Sequence, residues 1–263
     1  MDAELPGDVT VNDVVRNALA QIPGWESAEF SRLEGGITNK SWLVTADERK
    51  AVLKIDPQPR TEPFNTRQAE AQVQTRGAEL GIANEVLFVS DTILLTEHVE
   101  GTVWSDGCLL VDENLDKLAA AMKVLHSMPL TGRTFDSIGA ARGYAQQIQN
   151  GDQDKVRDCL AKIEAMPSPL NLCCCHNDMV AANIIYSPDV RFLDWEYACD
   201  NDPFFDIATV VAHHELSSDR ASYLLNAYFD GDGDRWRSQL DRQAEFYDAL
   251  YWLWAEARLP AVT

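Results

Sequence analysis

The chain has 263 residues, 46% of them hydrophobic, enough to bury a sizeable core as one large domain or two lobes. Its 42 acidic against 22 basic residues give a net charge of -20. That balance argues against a nucleic-acid backbone as ligand, which calls for clustered Lys and Arg, and is compatible both with a cationic substrate and with a plain acidic surface. No run of about 18 apolar residues occurs, so no membrane span is expected, and the acidic start MDAELPGDVTVND lacks the basic-then-apolar order of a secretory signal.

Cysteines at 108, 159, 173, 174, 175 and 199 form no CxxC pair and have no His at zinc-finger spacing. Three adjacent cysteines cannot all serve one tetrahedral metal site, whereas a small apolar thiol suits a buried strand, so Cys173, Cys174 and Cys175 are expected in the core. Reduced thiols in a cytoplasmic protein follow as expectations.

In chain order, the pattern predicts a helix from Val11 to Ala20, capped by Thr10 or Asn12 and ended at Pro23-Gly24. Phe30 to Val44 reads as a β-hairpin. Its Gly35, Gly36, Thr38 and Asn39 would let backbone N–H groups approach phosphate oxygens, although a glycine turn in a hairpin more often serves geometry alone. Lys50 to Asp56 is a β-rich run with Lys54 among apolar residues, either an edge-strand charge or a placed cation. Thr66 to Leu80 is a helix stopped at Gly81. Its Glu70 can pair with Lys54, with Glu79 as competing partner and a solvated helix face as the plain alternative. Strands at Glu85 to Val89 and Thr92 to Thr96 follow.

Beyond Gly101 the pattern turns helical: Asp112 to Ser127 with Asp112 as N-cap, Ser137 to Asn150, and Asp152 to Met166 stopped by Pro167. The change predicts a hinge near residues 97 to 102 and two domains, 1–97 and 98–263. Helices from Ile207 to Leu216 and Ser218 to Phe229 come later. GDGD at 231–234 lacks the closing Glu of an EF-hand loop and reads as a turn and N-cap. The last helix, Arg235 to Leu259, places Tyr247, Tyr251 and Trp254 on one face; core packing is the ordinary use of such a stripe.

The densest polar chemistry lies between Cys173 and Asp206. Two short strands bracket a loop with Asp178 and Asn183, and Asp194 ends the next strand. Taken singly, these residues suit turns and strand ends. As an ordered set they offer one base and two oxygen ligands for Mg²⁺, a cation that prefers carboxylate and carbonyl oxygens.

GGITN, LKI, the Glu-bearing helix, EHVEG, HND-x4-N and LDWE-x9-D together resemble the choline/ethanolamine kinase family, which is related to aminoglycoside phosphotransferases and thiamine kinase. The resemblance implies an α+β, bilobal protein-kinase-like fold: a small antiparallel-sheet N-lobe with one helix and a larger, mainly helical C-lobe. It further implies that Gly35 to Asn39, including Gly36 and Thr38, cover the ATP phosphates. Lys54 would contact those phosphates, Glu70 would orient Lys54, and Glu97 to Val99 would offer backbone groups to adenine. Asp178 would be the base, and Asn183 and Asp194 would hold Mg²⁺. The loop is shorter than GxGxxG, His-Asn-Asp replaces His-Arg-Asp, and Trp-Glu replaces Phe-Gly after Asp194; these departures favour the small-molecule branch.

A quaternary ammonium has no hydrogen-bond donors, so aromatic faces and a carboxylate recognise it. The resemblance assigns that work to Glu196, Tyr251 and Trp254, and so implies a small cationic alcohol such as choline as substrate. Thiamine or an aminoglycoside in the same fold, and a non-catalytic binding protein, are the alternatives. One position departs: His213 stands where eukaryotic choline kinases carry a further acidic residue.

Overall fold

The protein is described as a computed structural model covering residues 10–33, 41–61, 65–149, 151–169 and 171–258. The chain divides into two units, Met1–Glu100 and Gly101–Thr263.

The first unit opens with α1 (Val11–Leu19). Thr10 caps it reciprocally: its hydroxyl accepts from the Asp13 N–H while the Asp13 carboxylate accepts from the Thr10 N–H. Strands β1 (Glu29–Leu33), β2 (Ser41–Ala46) and β3 (Arg49–Ile55) follow, then α2 (Arg67–Glu79), β4 (Val86–Val89) and β5 (Ile93–Glu97). They form one antiparallel sheet ordered β1-β2-β3-β5-β4. Trp42, Val44, Ala51 and Leu53 join Val15, Leu19 and Trp25 in one buried cluster. The two-residue period of β3 therefore turns Lys54 away from the face that Leu53 presents to this cluster. Thr66, expected as the first residue of α2, is instead its N-cap, and the helix ends in a Schellman turn: Gly81 takes φ +78°, and the N–H groups of Gly81 and Ile82 donate to Ala78 and Gly77.

The second unit contains β6 (Thr102–Val103), α3 (Asp112–His126), α4 (Ser137–Gln147), α5 (Gln153–Glu164), β7 (Cys173–Cys175), β8 (Ile184–Ser187), β9 (Asp189–Phe192), β10 (Cys199–Asn201), α6 (Pro203–His213), α7 (Ser218–Tyr228) and α8 (Arg237–Glu256). Two small antiparallel sheets, β6-β8-β9 and β10-β7, carry the loops of interest. Gly101 is needed where the chain enters this unit, because a Cβ there would lie 2.6 Å from the Tyr186 carbonyl oxygen of β8. The α+β, bilobal class expected from the resemblance is the one adopted. Among the described residues no helix is long and apolar enough to cross a membrane.

Several boundaries differ from the sequence reading. The cap of α3 is Val111, with no side-chain hydrogen bond, and Asp112 is the first helical residue. A 3-10 turn, Asp106–Leu110, runs directly into Val111 and leaves no room for a capping loop. Helix α6 begins at Pro203, earlier than expected, because Asp202 accepts from the Phe204 N–H and proline is suited to the first helical position. Asp206 thus lies inside the helix. Strands β6 and β10 are too short for any periodic signal.

Candidate active site

Strand β7 delivers His176, Asn177 and Asp178 from a buried position. The His176 ring is buried, and its Nε2 lies 2.9 Å from the Leu193 carbonyl, so Nε2 is the protonated nitrogen. Burial holds His176 below its ordinary pKa despite the nearby charges of Asp206 and Asp194. Its ring meets Trp195 and Phe192 in tilted and edge-on contacts. Asn177 takes φ +64° and Asp194 φ +59°, left-handed conformations that Asn and Asp tolerate better than other side chains. One of these residues directly precedes Asp178 and the other is Asp194 itself, and backbone strain of this kind often gathers at functional sites.

The loop after Asp178 closes on itself. The Asn183 Nδ2 donates to the Asp178 carboxylate at 2.8 Å and to its carbonyl at 3.0 Å, and the Asn183 carbonyl accepts from the Leu193 N–H at 2.8 Å. Asp178, Asn183 and the residue before Asp194 are thereby tied together. Burial, then the charge of Asp194, pushes the Asp178 carboxyl up to about 7; Glu196 and Asp206 add to the rise, and the Asn183 bond opposes it. Excess negative charge in a half-buried, oxygen-only donor set fits a hard divalent cation such as Mg²⁺.

Asp206 underpins this loop and was not singled out as a site residue. Its carboxylate is fully buried and accepts from the His176 N–H at 2.9 Å, the Asn177 N–H at 2.7 Å and His126 Nε2 at 3.0 Å. Burial alone would raise its pKa, but the His126 bond and the two histidines outweigh it and hold it below the usual carboxylate range. The strand period also sorts the cysteines: Cys173 and Cys175 share one face, with sulfurs 3.5 Å apart. One ligand atom each from His126, Cys173 and Cys175 lie within 4.8 Å of one another. Both His126 nitrogens are already bonded, to Asp206 and to the Tyr228 hydroxyl, and burial pushes the Cys175 thiol well up. The group is hydrogen-bonded core.

In the first unit, Lys54 Nζ lies 2.8 Å from Glu70 Oε1. Glu70, not Glu79, is therefore the partner. Glu70 Oε2 also takes Arg67 Nη1 at 2.6 Å, and Arg67 in turn grips Asp56 through Nε and Nη2, each at 2.8 Å. Arg67 is 1% exposed and the Glu70 side chain fully buried, so each buried charge has an opposite partner. Arg67 and Asp56 escaped the sequence reading, although Arg-x-x-Glu on a helix face was a visible signal. The Glu97 N–H donates to the Glu85 carbonyl and the Glu97 carbonyl accepts from Asn84 Nδ2; a carbonyl has a second lone pair to offer. Val99 is half-buried. Gly35, Gly36, Thr38 and Asn39 lie outside the described residues.

The aromatic face of α8 forms a ladder. Tyr247 and Tyr251 stack at 5.8 Å, and Tyr251 and Trp254 at 5.6 Å. Burial, then the Asp178 charge, raises the Tyr247 pKa, which places its phenol in the electrostatic neighbourhood of Asp178. Glu196 is 3% exposed and contributes to the rise at Asp178. Two details were not foreseen. The Arg258 guanidinium lies over the Trp254 ring at 4.2 Å, so an internal cation already uses that ring. His213, half-buried, bonds the Tyr247 hydroxyl through Nδ1 at 2.9 Å and meets Tyr251 edge-on.

A model of the phosphotransferase enzyme family matches residues 29–259. Protein LicA of Haemophilus influenzae is 29% identical over 215 residues, covering 77% of this chain and 63% of that protein. A thiamine kinase of Salmonella newport is 28% identical over 200 residues, 73% of this chain and 68% of that one. Among solved structures, choline kinase LicA from Streptococcus pneumoniae superimposes with a TM-score of 0.75 at 18% identity, covering 94% of this chain and 90% of that chain.

Proposed function

Because the chain belongs to the phosphotransferase enzyme family, we propose that its ATP-dependent phosphoryl transfer is directed to the hydroxyl of a small cationic alcohol, choline or a similar amino alcohol. The observation that supports phosphoryl transfer to an alcohol is Asp178, whose half-buried carboxylate accepts from Asn183 Nδ2 at 2.8 Å, with burial and the Asp194 charge raising its pKa in the metal-free protein. A base of that kind can orient an alcohol and accept its proton at neutral pH.

Each residue then has a separate task. Lys54, held by Glu70, binds the ATP phosphates; backbone groups of Glu97 to Val99 and of Gly35 to Asn39 hold adenine and phosphates. Asn183 and Asp194 would hold Mg²⁺, which when bound neutralises charge on the transferring phosphoryl group. Asp178 aligns the substrate hydroxyl and takes its proton late, because positioning and charge neutralisation account for most of the barrier reduction in such reactions. Glu196 and Tyr251 face the cationic end of the alcohol, and Trp254 joins them when the substrate cation displaces the Arg258 guanidinium from its ring.

Thiamine is the second reading. The similarity to a thiamine kinase of Salmonella newport favours it, and so do the near-parallel rings of α8, at 11° and 22°, since a planar aromatic cation can stack on such rings. An ATP-consumption screen with choline, ethanolamine, thiamine and kanamycin under Mg²⁺ separates these readings. Choline or ethanolamine is expected to show the highest kcat/KM. A lead for thiamine or kanamycin would overturn the substrate assignment and leave phosphotransfer standing.

Glu70→Gln tests the lysine. It keeps the size of the side chain but removes the charge that fixes Lys54, and a hydrogen bond to a charged group contributes about 1.5–3 kcal/mol. The KM for ATP is expected to rise about tenfold or more, with little change in KM for the alcohol. A KM for ATP unchanged from wild type would remove Glu70 from the nucleotide site.

A further inference from the structure

We propose that His214 is a positioning residue that holds the loop between Asp178 and Asn183 in its working shape; its kinetic consequence rests on the phosphotransferase reading above. The 3-10 turn Ala181–Asn183 has Val180 in its cap position, with no side-chain cap hydrogen bond. The first N–H groups of a helical turn have no partner within it. Ala181 finds one elsewhere: its N–H donates to His214 Nε2 at 3.0 Å.

The bond fixes the chemical state of the ring. An amide N–H can only donate, so Nε2 must be the unprotonated acceptor. On the other side, His214 Nδ1 lies 2.8 Å from Asp106 Oδ1, and a carboxylate accepts, so Nδ1 bears the proton. Two contacts from different parts of the second unit thus select one neutral tautomer. The His214 side chain is 5% exposed, whereas Asp106 is 84% exposed, so the loop contact is the sheltered one. The other ring against it is that of His213, with centroids 4.9 Å apart.

The placement explains why a single residue can matter. His214 is the C-cap of α6, the helix that carries Asp206. Asp206 fixes the loop at its entry, through the His176 and Asn177 N–H groups, and His214 fixes it at Ala181, between the base and the metal ligand. One helix thereby holds, at its entry and at a point within it, the segment that sets the separation of Asp178 and Asn183. The two neighbouring histidines thus have separate partners: His213 bonds the Tyr247 hydroxyl, and His214 holds Ala181.

Three measurements test this. In wild-type protein, ¹⁵N-histidine NMR is expected to show His214 neutral with its proton on Nδ1; a proton on Nε2 overturns the proposal without any variant. In hydrogen–deuterium exchange, His214→Phe, which keeps a ring but no acceptor, is expected to speed exchange at Ala181 about tenfold or more, and His214→Gln, whose amide oxygen can replace Nε2, to restore protection. In turnover, His214→Phe is expected to lower kcat about tenfold with KM for ATP within about twofold, and His214→Gln to recover most of the loss. Equal loss in both variants, or unchanged Ala181 exchange in His214→Phe, overturns the brace. If wild type phosphorylates no alcohol, the functional reading falls, and the NMR and exchange results still decide the hydrogen bond.

Discussion

Asp178→Asn is expected to lower kcat by about a thousandfold while leaving the Kd for Mg²⁺-ATP within about twofold of wild type, since a positioned base contributes about 10²–10⁴ in rate. Asparagine is nearly the same size and can still accept from Asn183 Nδ2, so the loop keeps its closure. The same substitution has a second, opposite effect on stability. The Asp178 carboxyl is pushed from its ordinary 3.8 up to about 7 in the folded state, chiefly by burial. A group raised in this way adds its stability in full below the unfolded pKa, and that contribution is lost as pH rises through about 7. At pH 8 the metal-free fold therefore carries an unfavourable charge, on the order of 2–4 kcal/mol. Asp178→Asn removes it, so Tm without Mg²⁺ should rise at pH 8 and change little at pH 4. A variant with wild-type turnover would remove Asp178 as the base, and a lower Tm at pH 8 would contradict the electrostatic account.

Asp206→Ala should be the most damaging substitution for the second unit. It strands the His176 N–H, the Asn177 N–H and His126 Nε2, all of which end on this one carboxylate in a fully buried place. Removing one partner from such an arrangement costs about 3–5 kcal/mol, or a Tm lower by roughly 10 °C for a protein of this size. Thermal unfolding followed by circular dichroism checks it. A loss under about 1 kcal/mol would mean that other groups replace Asp206, and that it does not fix the loop.

What could be read from the sequence followed chemical locality. Asp178 and Asn183 are five residues apart on one short loop, so their nearness was legible, although the hydrogen bond between them was not. Lys54 and Glu70 are sixteen apart, and an ion pair across one strand and one helix was within reach. The Arg67–Asp56 pair was harder to see, because an arginine is ordinarily solvated and nothing local says that this one is 1% exposed. His126 meets Asp206 across 80 positions and Ala181 meets His214 across 33. Neither pairing leaves a periodic trace, since tertiary packing alone creates it. Short strands such as Thr102–Val103 were invisible for a related reason: two residues hold no period. The aromatic stripe of α8 was legible as a stripe, but the guanidinium over Trp254 was not.

The most direct measurement is ³¹P NMR of wild-type protein with ATP, Mg²⁺ and each alcohol in turn. Stoichiometric loss of the γ-phosphate signal of ATP, with appearance of ADP and a new phosphomonoester of choline or ethanolamine, is the predicted result, and it should vanish when EDTA is added. ATP left intact with every alcohol, or release of inorganic phosphate alone, would contradict phosphoryl transfer to an alcohol at this site.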